Sequence, residues 1–454
     1  MEQKNSRKTS VDMTSGSIAG HIIRFAMPLM LGNLFQMLYN TVDMIVVGNF
    51  VGKEALAAVG ATSMITNIAV FFFNGFSVGA SVVIGQAFGA KDHEKVHHAV
   101  QTAMTVTFLV SAVFTIAGIL LANPFLRMMS TPEDVFPQAS LYLKIYFAGI
   151  SGLLIYNIGS GVLRSVGDSR RPLYFLIFTS VLNIILDLLF VIVFHAGIGG
   201  VALATILSQL VSAGLILSLL STTQDVYRLT WNDLQIDFAP LRMIVSVGLP
   251  AGIQSAFNAF SNVVMQSYIN YFGSDVMAAW TSYLKVDQFV MLPASSMGAA
   301  ATTFVSQNVG AGEARRAERG TASALLISVL TCGVFQLLGA IFAPLVIQLF
   351  SHEPAVVAQG TQFIRINFMF IFANVADAIL IGSLRGYGDS RGPMRIMITA
   401  HVFIRQLYLF VMTRFFMNTP AAVGFGYPAG WLAGLAMTSV YYLIRKRQGF
   451  RLPS

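Results

Sequence analysis

Residues 163–172 read LRSVGDSRRP, and residues 384–393 read LRGYGDSRGP. The two strings begin 221 positions apart and share seven of their ten letters, so the chain contains an internal repeat. Each string separates two apolar runs, and its glycine, aspartate and proline suit a tight turn that opens a helix. The sequence therefore predicts one helical unit written twice. Two roles are open for the charged residues of the strings. They either serve only as polar turns between helices, or they pair between the two halves and gate a transport pathway.

Composition places the chain in a lipid bilayer. Of its 454 residues 55% are hydrophobic and 11% are charged, with a mean hydropathy of +0.70, which is too apolar for a water-soluble globule. A transmembrane helix needs about 20 apolar residues, and each half holds roughly six such runs. We expect an all-α membrane protein with about twelve transmembrane helices in two six-helix lobes, and the even number per lobe makes the repeat parallel. The predicted lobes are residues 1–221 and 241–454, joined by a cytoplasmic linker, residues 222–240, that carries a short surface helix.

The basic residues fall almost entirely on one side of the predicted spans. The net charge is +8, and twenty-one lysines and arginines lie on the side of the termini, whereas Lys53, Arg127 and Arg414 lie on the other. The positive-inside rule then places both termini and the repeat strings in the cytoplasm of a cell inner (plasma) membrane. The basic balance follows from topology and does not indicate nucleic acid as a partner.

Three absences from the sequence narrow the function further. The polar start of the chain does not resemble a cleaved signal peptide. Cys332 is the sole cysteine, which excludes a disulfide within the chain and any cluster of thiol ligands. No P-loop string occurs, so the energy for transport has to come from an ion gradient or from the gradient of the substrate itself.

Polar side chains inside the predicted spans are the candidates for function. An acid at the centre of a spanning helix costs roughly 2.5–3.5 kcal/mol, so such residues normally face a protein interior or a watery cavity. In the first half they form stripes on the first and fifth helices: Gln36, Tyr39, Asn40 and Asp43, then Asn183 and Asp187. The amides either hold helices together by hydrogen bonds or line a site, whereas the carboxyls need a partner or a proton.

The second half carries a different polar set. Its candidates are the amides Gln254, Asn258, Asn262 and Gln266, the acids Asp287 and Asp377, and the bases Lys285 and Arg405. The repeat places Val264 and Tyr408 at the positions of Asp43 and Asp187, so the two halves have divided their chemistry. The acids and bases either form a structural ion pair within the membrane or face a substrate cavity.

One string matches a metal motif. Residues 93–97, HEKVH, fit the H-E-x-x-H pattern in which two histidines hold zinc and the glutamate activates water. The string lies in a charged loop, and its repeat counterpart, residues 314–318, reads ARRAE. Zinc chemistry, and with it an intramembrane metalloprotease, is therefore a remote alternative.

The duplicated six-helix plan, the strings YNTVD (39–43) and LNIILD (182–187), and the two loop strings together resemble the multidrug and toxic compound extrusion (MATE) family over residues 22–447. The resemblance implies an antiporter, not an enzyme, that expels small-molecule drugs, often cationic and aromatic, in exchange for H+ or Na+ and uses no other cofactor. It implies a first-lobe coupling-ion site made of Tyr39, Asp43, Asn183, Asp187 and Thr205, where Na+ would lie at Asp43, Asn183 and Asp187. A second-lobe acidic site is only half matched, by Asp377, because the seventh helix offers no acid.

We predict alternating access between the lobes by one monomeric chain. Facing outward, Asp43 and Asp187 take up the ion and the drug leaves; facing inward, the ion departs and a cationic drug is drawn to the cavity acids. The expected cavity residues are Gln36, Asn40, Asn258, Asn262, Lys285, Asp287, Asp377 and Arg405. The rival is a flippase for lipid or lipid-linked substrates, which would favour a strongly basic cavity, whereas here the intramembrane acids outnumber the bases.

Overall fold

The structure is a computed structural model and describes residues 10–450. Lys4, Arg7, Lys8 and Arg451 of the predicted cytoplasmic charge lie outside that range, as does the side chain of Lys53. Within the described range the chain forms helices and no strand. This confirms the all-α fold expected from the composition.

The first half contains seven α-helices, two of which continue into a π-helical turn. They are α1 Ile18–Val46 (with Val47–Val51), α2 Lys53–Gly89, α3 His93–Met128, α4 Phe136–Ala148, α5 Ile150–Ser165, α6 Arg170–Leu188 (with Leu189–Val193) and α7 Gly197–Thr222. A single 3-10 turn, Trp231–Asp233, precedes the second half. The helices of the second half are α8 Phe238–Asn270, α9 Ser274–Gly310, α10 Ala314–Ile341, α11 Ala343–Gln348, α12 Pro354–Gly386, α13 Arg391–Met397, α14 Arg405–Val411, α15 Pro420–Gly424 and α16 Gly426–Arg447. Two π-helical segments, Ile398–Ile404 and Met412–Phe416, flank α14.

These helices have the length and composition of membrane spans. Among the described residues ten helices can cross a bilayer, and α4 with α5 forms an eleventh span that is bent by 46°. The remaining long helix, α16, opens with the polar and small residues GYPAGW, which dilute its apolar character. Large apolar side chains such as Leu120, Leu326 and Leu330 are more than 60% exposed, as expected where the surrounding solvent is lipid.

The described chain groups into two compact units that differ from the predicted lobes. Within the described residues, Met13–Met30 joins residues 250–450 in the second unit, and the first unit, residues 10–12 with Leu31–Leu249, includes the start of α8. The reason is packing: the early part of α1 is buried with α9 in one apolar cluster of the second unit. The chain changes unit beside Pro28 in α1 and at Pro250 in α8, where the missing backbone hydrogen bond permits a bend.

The linker differs from the expected surface helix, because it folds against the first unit. Between the end of α7 and the start of α8, Trp231–Asp233 form one short helical turn, and Tyr227 and Leu229 are buried in an apolar cluster with α2, α3 and α5. Trp231 Nε1 donates to Ser221 Oγ at 2.9 Å. Side-chain contacts of this kind, rather than amphipathic periodicity, determine the path of the linker.

The two repeat strings form the tight turns that the sequence predicts. Gly167 and Gly388 have φ values of +84° and +89°, which favour glycine. Asp168 Oδ1 accepts the backbone N–H of Arg171 at 3.2 Å, and Asp389 Oδ1 accepts that of Gly392 at 3.0 Å. Both aspartates therefore cap the helix that follows, which is the role expected of a polar turn between two helices.

The repeat extends to individual contacts between helices. Ser81 Oγ on α2 donates to the carbonyl of Gly161 on α5 at 2.9 Å. At positions 221 later, Thr302 Oγ1 on α9 donates to the carbonyl of Gly382 on α12 at 2.8 Å. Small residues allow such close approach of membrane helices. Each unit thus uses the same contact to join its second and fourth membrane spans.

This contact predicts a stability difference between two glycines of the second unit. A Cβ added to Gly382 would collide with the carbonyl oxygen of Gly298 on α9, whereas no described atom lies within 4 Å of a Cβ added to Gly333. We expect Gly382→Ala to cost about 1–3 kcal/mol, as overpacking usually does. The matched control, Gly333→Ala, should be neutral or stabilising by up to about 1 kcal/mol. Thermal unfolding of the detergent-purified protein measures both, and an unchanged Tm for Gly382→Ala would contradict the close contact.

Candidate ion and substrate sites

The first unit brings two acidic side chains together in its interior. Asp43 comes from α1 and Asp187 from α6, one turn beyond Asn183. Asp187 is fully buried, Asn183 is 3% exposed, and Asp43 is half-buried. The carboxyl groups of Asp43 and Asp187, here called the carboxyl pair, lie close enough to interact electrostatically. Two carboxylates repel each other at short range, so the pair fits either a proton on one carboxyl or a cation bound by both.

Few protein groups donate hydrogen bonds to the oxygens of the carboxyl pair. Among the described residues no donor is provided to either oxygen of Asp187 or to Oδ1 of Asp43, and both polar atoms of the Asn183 side chain are also buried without a partner. Carboxylate and amide oxygens are the ligands that hard cations prefer. The three side chains therefore fit either a shared proton or an ion such as Na+. Asp43 and Asp187, the acidic residues of the predicted coupling-ion site, therefore lie together.

Two tyrosines of α4 complete the surroundings, and sequence reasoning missed them. Tyr142 interacts electrostatically with both members of the carboxyl pair, and its ring stacks on that of Tyr146 with centroids 6.3 Å apart. Tyr146 is itself buried in the apolar interior of the first unit. The four-residue spacing of the tyrosines on a helix that also carries Lys144 was the available signal.

The other predicted residues of the first unit are placed less centrally. Tyr39 lies near Asp43 on α1 and interacts with it electrostatically. Gln36 and Asn40 are exposed on α1. Thr205 donates its hydroxyl to the carbonyl of Val201 in its own helix at 3.0 Å, so that group is already used.

The second unit contains a polar cavity of about 420 Å³, lined by residues of α8, α9, α12, α14, α16 and the π-helical segment Ile398–Ile404. Four of the expected cavity residues line it, together with the candidate amide Gln266: Asn258, Asn262, Asp287 and Arg405. Sequence reasoning missed the remaining walls, which include Trp280, Gln288, Asn374, His401, Tyr427 and Trp431. We call this space the second-unit cavity.

None of the ion pairs of the described residues joins Asp287 or Asp377 to Lys285 or Arg405, so the structural ion pair between these candidates is not formed. Lys285 is exposed and lies two positions from Asp287, which turns the two side chains apart. Asp287 Oδ1 instead accepts a long hydrogen bond from Tyr283 at 3.5 Å. Asp377 is 4% exposed, lies outside the cavity lining, and has no described partner for Oδ1.

The HEKVH string performs a structural task at the start of α3. Asp92 caps the helix by accepting the N–H of Lys95 at 3.1 Å, and the hydrogen bond from the Lys95 side chain lowers the pKa of Asp92. His97 Nε2 lies 2.6 Å from Asp233 Oδ2 of the linker. Among the described residues no group of three or more His, Cys, Asp or Glu side chains could hold a metal ion.

Comparison with known proteins agrees with this geometry. The fold and its buried polar sites define a polytopic membrane transporter, and the model of the MatE family matches residues 28–189 and 250–410. The chain therefore belongs to the MatE family, as its motifs predicted, and is a transporter and not an enzyme.

Relatives support the assignment along the whole chain. The "Probable multidrug resistance protein YoeA" of Bacillus subtilis (strain 168) is 29% identical over 439 residues, 94% of each chain. YpnP of the same strain, also named a probable multidrug resistance protein, is 32% identical over 388 residues, 83% of this chain and 84% of the relative. A crystal structure of MATE in the bent conformation shares the fold with a TM-score of 0.91 at 23% identity, covering 97% of this chain and 98% of that one.

The histidine contacts predict the metal content of the protein. Because His97 is bonded to Asp233 and a third ligand is lacking among the described residues, we expect far less than one zinc per chain. Elemental analysis of protein purified without chelator measures the ratio. Stoichiometric zinc that is lost in His97→Ala would restore the metalloprotease alternative.

Proposed function

We propose that this chain exports amphiphilic, mainly cationic and aromatic compounds in exchange for H+ or Na+. Family membership and the names of the relatives support drug export. The observation that carries the coupling is the carboxyl pair, which is buried and has no fixed positive partner among the described residues. An acid site of this kind is stable only while it holds a proton or a cation.

The exchange follows from charge neutralisation at that pair. With the ion bound, the pair is close to neutral and attracts an organic cation weakly. When the ion leaves, the remaining charge is poorly solvated and attracts a cation strongly. Ion and drug therefore exclude each other, which is the thermodynamic requirement for antiport, provided that each is exposed in turn to both sides of the membrane.

In this proposal each side chain of the first-unit site has its own role. Asp43 and Asp187 carry the exchangeable charge, and Asn183 supplies an amide oxygen that can bind Na+ or accept a bond from a protonated carboxyl. Tyr142 and Tyr146 form an aromatic wall that limits the access of water. Tyr39 links Asp43 to the polar stripe of α1 and so can transmit its protonation state along that helix.

Orientation in the membrane completes the proposal. The excess of basic residues places both termini and the repeat strings in the cytoplasm of a plasma membrane. Since one chain builds both the carboxyl pair and the second-unit cavity, we propose that a monomer is sufficient for transport.

Efflux from vesicles tests the coupling role of the carboxyl pair. We expect Asp43→Asn and Asp187→Asn each to lower ethidium export, driven by an imposed H+ or Na+ gradient, at least about tenfold, equivalent to about 1.4 kcal/mol. Glu133→Gln, which removes an exposed carboxyl from a loop of the same unit, is the control and should export normally. Comparison of the two gradients identifies the coupling ion. Normal export by both Asp variants would contradict the proposal.

A further inference from the structure

The second-unit cavity contains a buried positive charge without a negative partner. Arg405 is 1% exposed, and a guanidinium keeps its charge in proteins. None of the ion pairs formed by residues 10–450 includes it. Burying such a charge costs several kcal/mol unless partners compensate. In membrane proteins a buried charge of this kind marks a functional site, such as a ligand-binding site.

The neutral contacts of Arg405 position it but use only part of its hydrogen-bonding capacity. Nε donates to Ser261 Oγ and to the carbonyl of His401, both at 3.1 Å. Nη2 donates to Asn262 Oδ1 at 3.1 Å and to Ser261 Oγ. Nη1 makes no hydrogen bond to a described residue. One nitrogen of a fixed, planar cation that lines the cavity is therefore available to an anionic ligand group.

Flat aromatic rings lie beside this cation. Tyr427 stacks on Trp280 with centroids 5.3 Å apart and 8° between the planes, and on Trp431 at 5.4 Å and 12°. The Arg405 guanidinium lies 4.9 Å from the centroid of the Tyr427 ring. All three rings line the cavity. A planar ligand that packs against this wall would bring its substituents close to the guanidinium.

Asp287 adds an opposite charge to the same cavity. It is half-buried, and its only described hydrogen bond is the long one from Tyr283. A ligand with only positive charge would be repelled by Arg405, and a ligand with only negative charge would be repelled by Asp287. A zwitterion satisfies both residues. The volume of about 420 Å³ falls in the range of drug-sized sites, about 300–1,000 Å³.

We propose that the second-unit cavity binds zwitterionic aromatic molecules, with the carboxylate on Arg405, the ammonium on Asp287 and the ring system against Trp280, Tyr427 and Trp431. This inference rests on the proposed function and names a substrate class for one of its sites. It differs from the expectation of mainly cationic drugs, because a carboxylate becomes a recognised feature of the substrate.

Two dyes that differ only in the carboxylate test the inference. A rhodamine with a free benzoate is zwitterionic, and its methyl ester is a cation with the same ring system. The binding of each is measured by fluorescence anisotropy on the detergent-purified full chain. We expect the wild type to bind the free acid more tightly than the ester, and we expect Arg405→Gln to lower the preference for the acid at least about tenfold, the effect of losing about 1.4 kcal/mol. The control Arg365→Gln removes an exposed arginine of α12 and should keep the wild-type preference.

A second variant protects the test against misfolding of Arg405→Gln. Asn262→Asp is isosteric and places a carboxylate at the atom that Arg405 already contacts at 3.1 Å. This internal anion should displace that of the ligand, so the preference for the free acid should fall by a similar factor. An equal affinity of the wild type for both dyes, or a preference that Asn262→Asp leaves intact, would overturn the inference. Because binding is measured without a gradient, failure of ion-driven export would leave this result readable.

Discussion

The constraint on which the rest of the structure depends is the burial of two carboxyl groups beside each other. Asp43 and Asp187 interact inside the first unit, and the described residues provide neither a basic partner nor a donor to most of their oxygens. Burial of Asp187 raises the cost of an unpaired charge at this place. The pair therefore fits a proton or a cation, and in the proposed mechanism the exchange of that ion is coupled to the movement of a second solute.

Duplication gives the chain two copies of one framework with different contents. The contact of Ser81 with Gly161 returns as that of Thr302 with Gly382, so the helix packing of the ancestor unit persists. The polar interiors do not match, because apolar or aromatic residues replace the carboxyl pair in the second half. In the second half, the guanidinium of Arg405 is buried at the cavity without an acidic partner among the described residues. Separate interiors allow one protein to assign ion coupling and substrate recognition to different units.

Sequence reasoning predicted what depends on local pattern. The all-α membrane fold and the turns at residues 163–172 and 384–393 follow from hydropathy and backbone preference, which act over a few residues. The adjacency of Asp43 and Asp187 was expected only through a family resemblance. Packing within each unit was not predictable, because it depends on contacts between distant segments. Such contacts place the tyrosines of α4 and the rings of Trp280, Tyr427 and Trp431 at their sites. They also determine the path of the linker and the assignment of Met13–Met30 to the second unit. The lack of an acid for Arg405 is a negative fact that spacing alone does not reveal.

Ion release on drug binding is the measurement that tests the central claim most directly. Ethidium is added to the detergent-purified protein in a lightly buffered solution, and liberated H+ or Na+ is counted with an indicator dye and a sodium electrode. The account predicts that the wild type releases an ion as the drug binds, whereas Asp187→Asn binds ethidium with little or no release. Release of equal size from Asp187→Asn would show that the exchangeable ion is held elsewhere.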